Sequence, residues 1–196
     1  GRTGEEVAEE LKGGIALTNA FENLPVPVIV EIQGHCAGGG MEMALRGDIL
    51  IASEDATFQH PEKTLGIFTL LGGVQRVAER VGRTRAMQWA LTAEHIGAQQ
   101  ALDAGLINQV VPRSELSQTV RAWLDQYAVQ GPTLAHAAHK AILRAWSNGG
   151  IEAADALMAD WAVTVFNSED AKQAIPSAVE AFNAGRPRPD FPFQGK

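Results

Sequence analysis

The sequence predicts an α/β fold that continues into an all-helical region, and two observations support this prediction. Between residues 26 and 111, short segments rich in β-branched residues alternate with segments of helical spacing, as in a parallel sheet covered by helices. Beyond Pro112, four helical segments follow one another with no strand between them. We therefore expect an α/β core over residues 1–130 and a helical region over residues 131–196.

Local signals mark the ends of the elements in the core. Thr3 can cap a first helix with Glu5 and Glu6 in its opening turn, and Pro25 ends this element. A short helix is expected to begin near residues 39 and 40, and Glu62–Leu71 has no clear period, which favours an active-site loop. The other predicted helices are Gly72–Val81, Thr84–Leu91 (capped by Thr84) and Ala98–Ala104, and the predicted strands are Val26–Gln33, Asp48–Ala52, Ala56–Phe58 and Leu106–Val111.

The helical region is divided by glycine-containing and polar pairs. Its four predicted helices are Ser114–Gln130, Pro132–Ser147, Ile151–Phe166 and Asp170–Ala184. Three prolines in the last twelve residues exclude a helix there.

Composition narrows the class of protein. The chain has 196 residues, of which 45% are hydrophobic and 20% charged, which is typical of a globular protein. A net charge of −7 excludes general nucleic-acid binding. No apolar run is long enough for a membrane span, so we expect no membrane association. The single cysteine, Cys36, cannot form an intrachain disulfide and fits a reducing compartment, so we expect a cytoplasmic protein.

The most informative motif is a glycine run that leads from a strand into a helix carrying Glu42. Gly38, Gly39 and Gly40 are consecutive, and the N–H groups at a helix start have no partner within the helix. Such N–H groups can stabilise an oxygen that gains negative charge. Alternatively, the glycines serve only the shape of a tight turn.

A second acidic residue, Glu62, follows twenty residues after Glu42. The short helix, strand and turn between them can return the chain to the same end of the sheet. Two carboxyl groups in one pocket have pKa values that are pushed apart, so one can give a proton while the other takes one. Alternatively, one or both glutamates are solvated surface residues.

The sequence around these residues resembles the signature of the enoyl-CoA hydratase/isomerase (crotonase) family. The resemblance runs in order over nearly the whole chain. Its segments are Pro27–Ala44, Asp48-Ile49, Ala56-Thr57-Phe58, Pro61-Glu62, Leu65-Gly66, Gly72-Gly73-Val74-Gln75-Arg76, Val81-Gly82, Leu91-Thr92, Ala101–Val110, Ala181-Phe182 and Arg186-Pro187.

The resemblance implies a spiral of β-β-α units followed by helices that assemble a homotrimer or a dimer of trimers. It implies an acyl-CoA thioester as substrate, with coenzyme A as part of that substrate and no separate cofactor. The thioester oxygen would accept the Gly39 N–H. Glu42 and Glu62 match the two catalytic glutamates of hydratases, and Glu62 matches the single glutamate of many isomerases.

The sequence departs from the family pattern in three places. The other oxyanion donor of the family precedes the helix that begins here near Thr3, so we expect an N-terminal portion ahead of this chain in the native protein. Thr69-Leu70 stands where hydratases carry Pro-Gly, which weakens the preference for water addition. Gly185 stands where many members carry Lys, so one phosphate contact is expected to be either lost or taken over by Arg186.

Further residues are expected to contact the substrate. They are Ala37, Gly38, Leu70, Trp161, Phe166, Phe182 and Arg186. Trp161 and Phe166 are alternatively core or subunit-interface residues.

The remaining titratable residues are expected to have no catalytic role. His35 and His60 are interpreted as turn or packing residues, with a catalytic role as the alternative. Cys36 is interpreted as a buried thiol, with a reactive thiol as the alternative. His136 and His139 lack neighbours at ligand spacing, so no metal site is expected.

The leading hypothesis is therefore an enoyl-CoA hydratase that adds water to the 2,3-double bond. The alternatives are a Δ3,Δ2-enoyl-CoA isomerase and a non-catalytic acyl-CoA-binding homologue.

Overall fold

A computed structural model describes all 196 residues. The chain forms two compact units, one made of Gly1–Leu24 with Val28–Ala122 and the other of Pro25–Pro27 with Trp123–Lys196. All strands belong to the first unit. No helix combines the length and apolar character that crossing a membrane requires.

The first unit contains six strands and six helices. The strands are β1 (Ile29–Ile32), β2 (His35–Ala37), β3 (Ile49–Ser53), β4 (Thr57–Gln59), β5 (Ile96–Gly97) and β6 (Gln109–Val111). The helices are α1 (Gly4–Glu22), α2 (Gly39–Ala44), α3 (Gly73–Val81), α4 (Arg83–Thr92), α5 (Ala98–Asp103) and α6 (Leu116–Trp123), with short 3₁₀ helices at Pro61–Leu65 and Arg113–Glu115.

The strands form two three-stranded sheets. In the first sheet β3 lies between β1 and β6, and all three strands are parallel. In the second sheet β4 lies between β2, which is parallel to it, and β5, which is antiparallel. Leu50, Ile51 and Ala52 of β3 are fully buried, as expected for a strand covered on both faces. This buried strand explains why the sequence shows an apolar run rather than alternation.

Helix α1 begins as its sequence predicts. Thr3 accepts the N–H of Glu6, and the Glu6 side chain accepts the N–H of Thr3, which is a complete capping box. Glu5 and Glu6 lie in the first turn, where the helix dipole favours acidic side chains.

Helices are the only regular secondary structure of the second unit. It contains a π-helical turn at Leu124–Val129, α7 (Thr133–Asp155), α8 (Met158–Phe166) and α9 (Glu169–Asn183). Non-helical dihedral angles at Gly150 interrupt α7. The C-terminal tail is not helical, as predicted. Instead, the Asp170 carboxylate accepts the N–H groups of Gln194 and Gly195.

Three local predictions were wrong. Thr84 does not cap α4, because the helix already begins at Arg83 with Gly82 as its N-terminal flanking residue. Strand β2 was missed because the chain becomes extended again directly after the turn at Gly34, where φ is +64°. Strand β5 was missed because two residues are too short to show a period.

Candidate active site

The glycine run joins β2 to α2 and presents one backbone N–H. Gly38 has φ of +52°, a conformation that favours glycine. Its own N–H donates to the Gln59 carbonyl over 3.2 Å, and its carbonyl accepts the Glu42 N–H over 2.9 Å. Gly39 is the first residue of α2, so its N–H has no partner within the helix. Of the two amides, that of Gly39 is the one suited to a ligand oxygen.

The Glu42 carboxylate is buried and held by two backbone amides. Its Oε1 accepts the N–H groups of Leu71 and Gly73, each over 2.8 Å. The residue is only 3% exposed, and hydrogen bonds of this kind offset the cost of burying a carboxylate. Gly73 has to be glycine for this contact, because a Cβ there would lie 2.8 Å from the Glu42 Cγ.

Two arginines hold the loop that supplies these amides. Arg46 Nη2 donates to the Leu71 carbonyl over 2.6 Å, and Arg76 Nη1 donates to the Gly72 carbonyl over 3.1 Å. Both guanidinium groups also pair with Glu22 of α1. Burial, and next the charge of Arg76, lower the pKa of Arg46, while Glu22 raises it. The loop is therefore held by arginines at its carbonyls and by Glu42 at its N–H groups.

Glu62 lies beside the glycine run. It occupies the first turn of the 3₁₀ helix that Pro61 begins, and it is buried. Its Oε1 lies 3.5 Å from the point that a Cβ of Gly38 would occupy. Its Oε2 is buried and has no hydrogen-bond partner. One oxygen of this carboxyl group thus lies beside Gly38, while the other has no hydrogen-bond partner.

His60 lies near both glutamates. Its Nδ1 is 3.7 Å from Oε2 of Glu62. Its Cε1 and the Glu42 Cγ are both close to Gly73. A Cβ built on Gly73 would lie 2.9 Å from the first atom and 2.8 Å from the second. Burial lowers the pKa of His60, and the Glu42 charge opposes that effect. Burial therefore favours the neutral form of the ring.

A pocket of about 770 Å³ opens next to Glu62 and His60. Its wall is mostly apolar and is formed by α1, the loop after the 3₁₀ helix, α3 and α4. The apolar side chains of the wall are Ile15, Ile67, Phe68, Leu70, Leu71, Val74, Met87, Ala90 and Leu91. A pocket with apolar walls and a few polar groups at one end is typical of a small-molecule site.

The geometry agrees with the comparison to known proteins. The family model described as enoyl-CoA hydratase/isomerase matches residues 4–188.

The chain belongs to the enoyl-CoA hydratase/isomerase family.

Several characterised proteins are similar to this member of the family. A carnitinyl-CoA dehydratase of Proteus mirabilis is 41% identical over 164 residues, which cover 81% of this chain and 62% of that protein. A short-chain-enoyl-CoA hydratase of Clostridium acetobutylicum is 36% identical over 88% of this chain and 67% of that protein. A peroxisomal Delta(3,5)-Delta(2,4)-dienoyl-CoA isomerase of Arabidopsis thaliana is 34% identical over 91% of this chain and 64% of that protein. The chain thus spans less than two thirds of the length of the Proteus protein.

Solved structures confirm the predicted fold. An enoyl-CoA hydratase from Bacillus anthracis matches 100% of this chain and 73% of its own, with a TM-score of 0.86 and 26% identity. An enoyl-CoA hydratase from Geobacillus kaustophilus matches with a TM-score of 0.87 and 26% identity. The α/β, crotonase-type fold with a helical C-terminal region is therefore correct.

The remaining predicted site residues of the first unit fall in two places. Leu70 is half-buried and lines the 770 Å³ pocket. Ala37 instead lines a separate cavity of about 460 Å³ together with Cys36 and Gly40. Desolvation raises the pKa of the Cys36 thiol to about 11, so the thiol is protonated and a poor nucleophile.

The other four candidates belong to the second unit. Trp161 is half-buried on α8, and Phe166, the last residue of that helix, is exposed. Phe182 on α9 is 77% exposed, and Arg186 donates to Glu180 over 3.2 Å. Their contact with a substrate stays a prediction.

Sequence reasoning missed Arg46, and it gave no indication that His60 lies near the two glutamates. Arg46 is the one charged residue between Glu42 and Asp48, among side chains that become buried. A lone arginine in an apolar stretch indicates a buried pairing, and this signal could have identified it. For His60, no sequence signal separates a packing histidine from one that contacts two carboxyl groups.

Proposed function

We propose that this chain carries the catalytic site of an enoyl-CoA hydratase, which adds water to the 2,3-double bond of an enoyl-CoA thioester. The observation that carries the proposal is the position of the Glu62 carboxyl group beside Gly38, in the same site where the amides of Leu71 and Gly73 hold Glu42. Similarity to a short-chain-enoyl-CoA hydratase supports it.

In this mechanism the thioester oxygen accepts the Gly39 N–H. Addition of a nucleophile at the β-carbon moves negative charge onto that oxygen, and a preoriented donor stabilises the resulting enolate. Removing one such donor typically costs about a hundredfold to a thousandfold in rate.

The two glutamates have separate roles. Glu62, with an unpartnered oxygen at the pocket wall, protonates the α-carbon. Glu42, fixed through Oε1 by the amides of Leu71 and Gly73, positions the water and helps to deprotonate it. Proton transfer by a positioned carboxyl group contributes about a hundredfold to ten-thousandfold.

The alternative is a Δ3,Δ2-enoyl-CoA isomerase, and two observations favour it. Glu62, but not Glu42, is among the residues that line the pocket, and the Leu70 side chain occupies space where hydratases are expected to have glycine. In this reaction Glu62 alone takes a proton from one carbon and returns it to another. Similarity to a dienoyl-CoA isomerase is compatible with this alternative.

The Glu42→Gln variant separates the two reactions. We expect it to lower crotonyl-CoA hydration by about a hundredfold or more, because the amide cannot accept a proton from water. Isomerisation of a 3-enoyl-CoA should persist under the isomerase alternative. The matched control is Glu115→Gln, which removes an exposed carboxylate. Unchanged hydration in Glu42→Gln would contradict the hydratase proposal.

The substrate and the assembly are part of the same proposal. The mostly apolar pocket fits an acyl chain, and the substrate supplies the coenzyme A, so no separate cofactor is needed. The helical region is proposed to assemble three chains, or two sets of three, since closed symmetry is usual in homo-oligomers. Light scattering of the full-length protein at micromolar concentration tests this, and a monomer would contradict it.

A further inference from the structure

We propose that His60 is a positioning residue for Glu62: its neutral ring orients the Glu62 carboxyl group, and protonation of the ring stops the reaction. This inference rests on the proposed function, because it assigns His60 to the same proton transfer.

The first observation is that His60 and Glu62 both have buried polar atoms without a hydrogen-bond partner. Nδ1 and Nε2 of His60 and Oε2 of Glu62 are all buried without a hydrogen-bond partner. Buried polar atoms in folded proteins nearly always have a partner. Three exceptions in two neighbouring side chains therefore indicate groups that pair with each other or with a ligand.

The separation of the two side chains is the second observation. Nδ1 of His60 and Oε2 of Glu62 are 3.7 Å apart, just beyond hydrogen-bond range. A movement of less than about 1 Å brings them within range, and catalytic hydrogen bonds commonly tighten when substrate binds. Because Oε1 of the same carboxyl group borders Gly38, a bond to Oε2 fixes the plane of the carboxyl group.

The charged groups around the His60 ring determine how protonation of the ring affects the site. The acidic groups near His60 are Glu42 on α2 and Glu62 in the 3₁₀ helix. Arg46, Lys63 and Arg76 also line the pocket, and the side chains that α4 contributes are apolar. An imidazolium between the two carboxyl groups stabilises both as carboxylates. Glu62 would then lack the proton that it must give to the α-carbon.

This arrangement predicts a loss of activity at low pH that originates in His60. As the pH falls through the pKa of His60, which burial places below 6.5, the ring gains its charge. The value of kcat/KM should fall in the same interval.

Three variants of the full-length protein test the proposal by steady-state kinetics with crotonyl-CoA. His60→Leu removes the donor, and we expect kcat to fall by roughly a hundredfold while KM changes little. His60→Gln retains an N–H donor and should restore most of kcat, yet without the loss at low pH. His139→Gln removes an exposed histidine and is the control. Wild-type kcat in His60→Leu, or an unchanged loss at low pH in His60→Gln, overturns the proposal.

A measurement without turnover separates this inference from the proposed function. NMR titration of the His60 ring should show a lower pKa in Glu62→Gln than in the wild type, because the carboxylate that stabilises the imidazolium is gone. An unchanged titration overturns the role of His60, even in a protein that hydrates crotonyl-CoA. A lowered pKa in a protein with no turnover supports the pairing and contradicts only the proposed function.

Discussion

Arg46 Nη2 donates to the carbonyl of Leu71 over 2.6 Å, and the N–H of the same Leu71 donates to the Glu42 carboxylate over 2.8 Å. A single loop residue thus connects a buried arginine to a candidate catalytic carboxylate. The arginine also binds Asn19 and Glu22 of α1. The position of Glu42 therefore depends on contacts with α1 as well as on α2 itself.

Replacement of Arg46 by Met should destabilise the protein and weaken the site. The side chain is 2% exposed, so the Leu71 carbonyl and Asn19 would lose a buried donor. We expect the free energy of unfolding to fall by about 2–3 kcal/mol, measured by urea denaturation. Arg113→Met removes an exposed pair with Asp55 and should leave stability nearly unchanged. Equal losses in the two variants would contradict this account.

Gly73→Ala should reduce activity more than stability. A Cβ at this position would lie 2.8 Å from Glu42 Cγ and 2.9 Å from His60 Cε1, so both side chains must move. A displacement of about 1 Å at a site can lower the rate by roughly a hundredfold. The measurement is kcat/KM alongside the midpoint of thermal unfolding. Gly97→Ala, which meets no atom within 4 Å, is the control, and equal activity in both variants would refute the steric argument.

Two adjacent glycines of α1 should respond differently to alanine. Gly13 is exposed, and a Cβ there would have no atom within 4 Å. A Cβ on Gly14 would lie 2.9 Å from Leu71 Cδ2. Gly13→Ala should raise the free energy of unfolding by about 0.5–1 kcal/mol through helix propensity. Gly14→Ala should gain less, since Leu71 must shift. A larger gain for Gly14→Ala in chemical denaturation would show that the α1–loop contact is looser than described.

Stability should fall on mild acidification. Burial lowers the pKa of His60, and burial followed by His139 lowers the pKa of His136. The unfolded chain then binds these protons more readily than the folded one. The stabilising effect is complete above pH 6.5 and is lost as the pH falls below that value toward the folded pKa values. Denaturation curves between pH 7.5 and about 5 test this, and His60→Gln should reduce the slope; an identical slope would contradict it.

The general architecture could be predicted because local chemistry agrees with it. The capping box at Thr3, the buried apolar strand β3 and the glycine run before α2 each carry their signal within a few residues. The succession of helices after Pro112 was likewise visible in spacing alone. These features depend on sequence neighbours, which the sequence shows directly.

The arrangement of the site depends on contacts between distant residues. Glu42 accepts N–H groups from residues 29 and 31 positions away, and Arg46 pairs with Glu22, 24 positions away. No periodicity encodes such contacts. The family resemblance supplied Glu42 and Glu62, but it could not supply Arg46 or the position of His60 near the two carboxyl groups.

Hydration of crotonyl-CoA in D₂O tests most directly whether Glu62 delivers the proton to the α-carbon. Proton NMR follows deuterium appearing at C2 of the product. Glu62→Gln should lower the rate of incorporation by about a hundredfold to ten-thousandfold, and Glu115→Gln should match the wild type. Incorporation at the wild-type rate in Glu62→Gln would show that another group supplies this proton and would contradict the account.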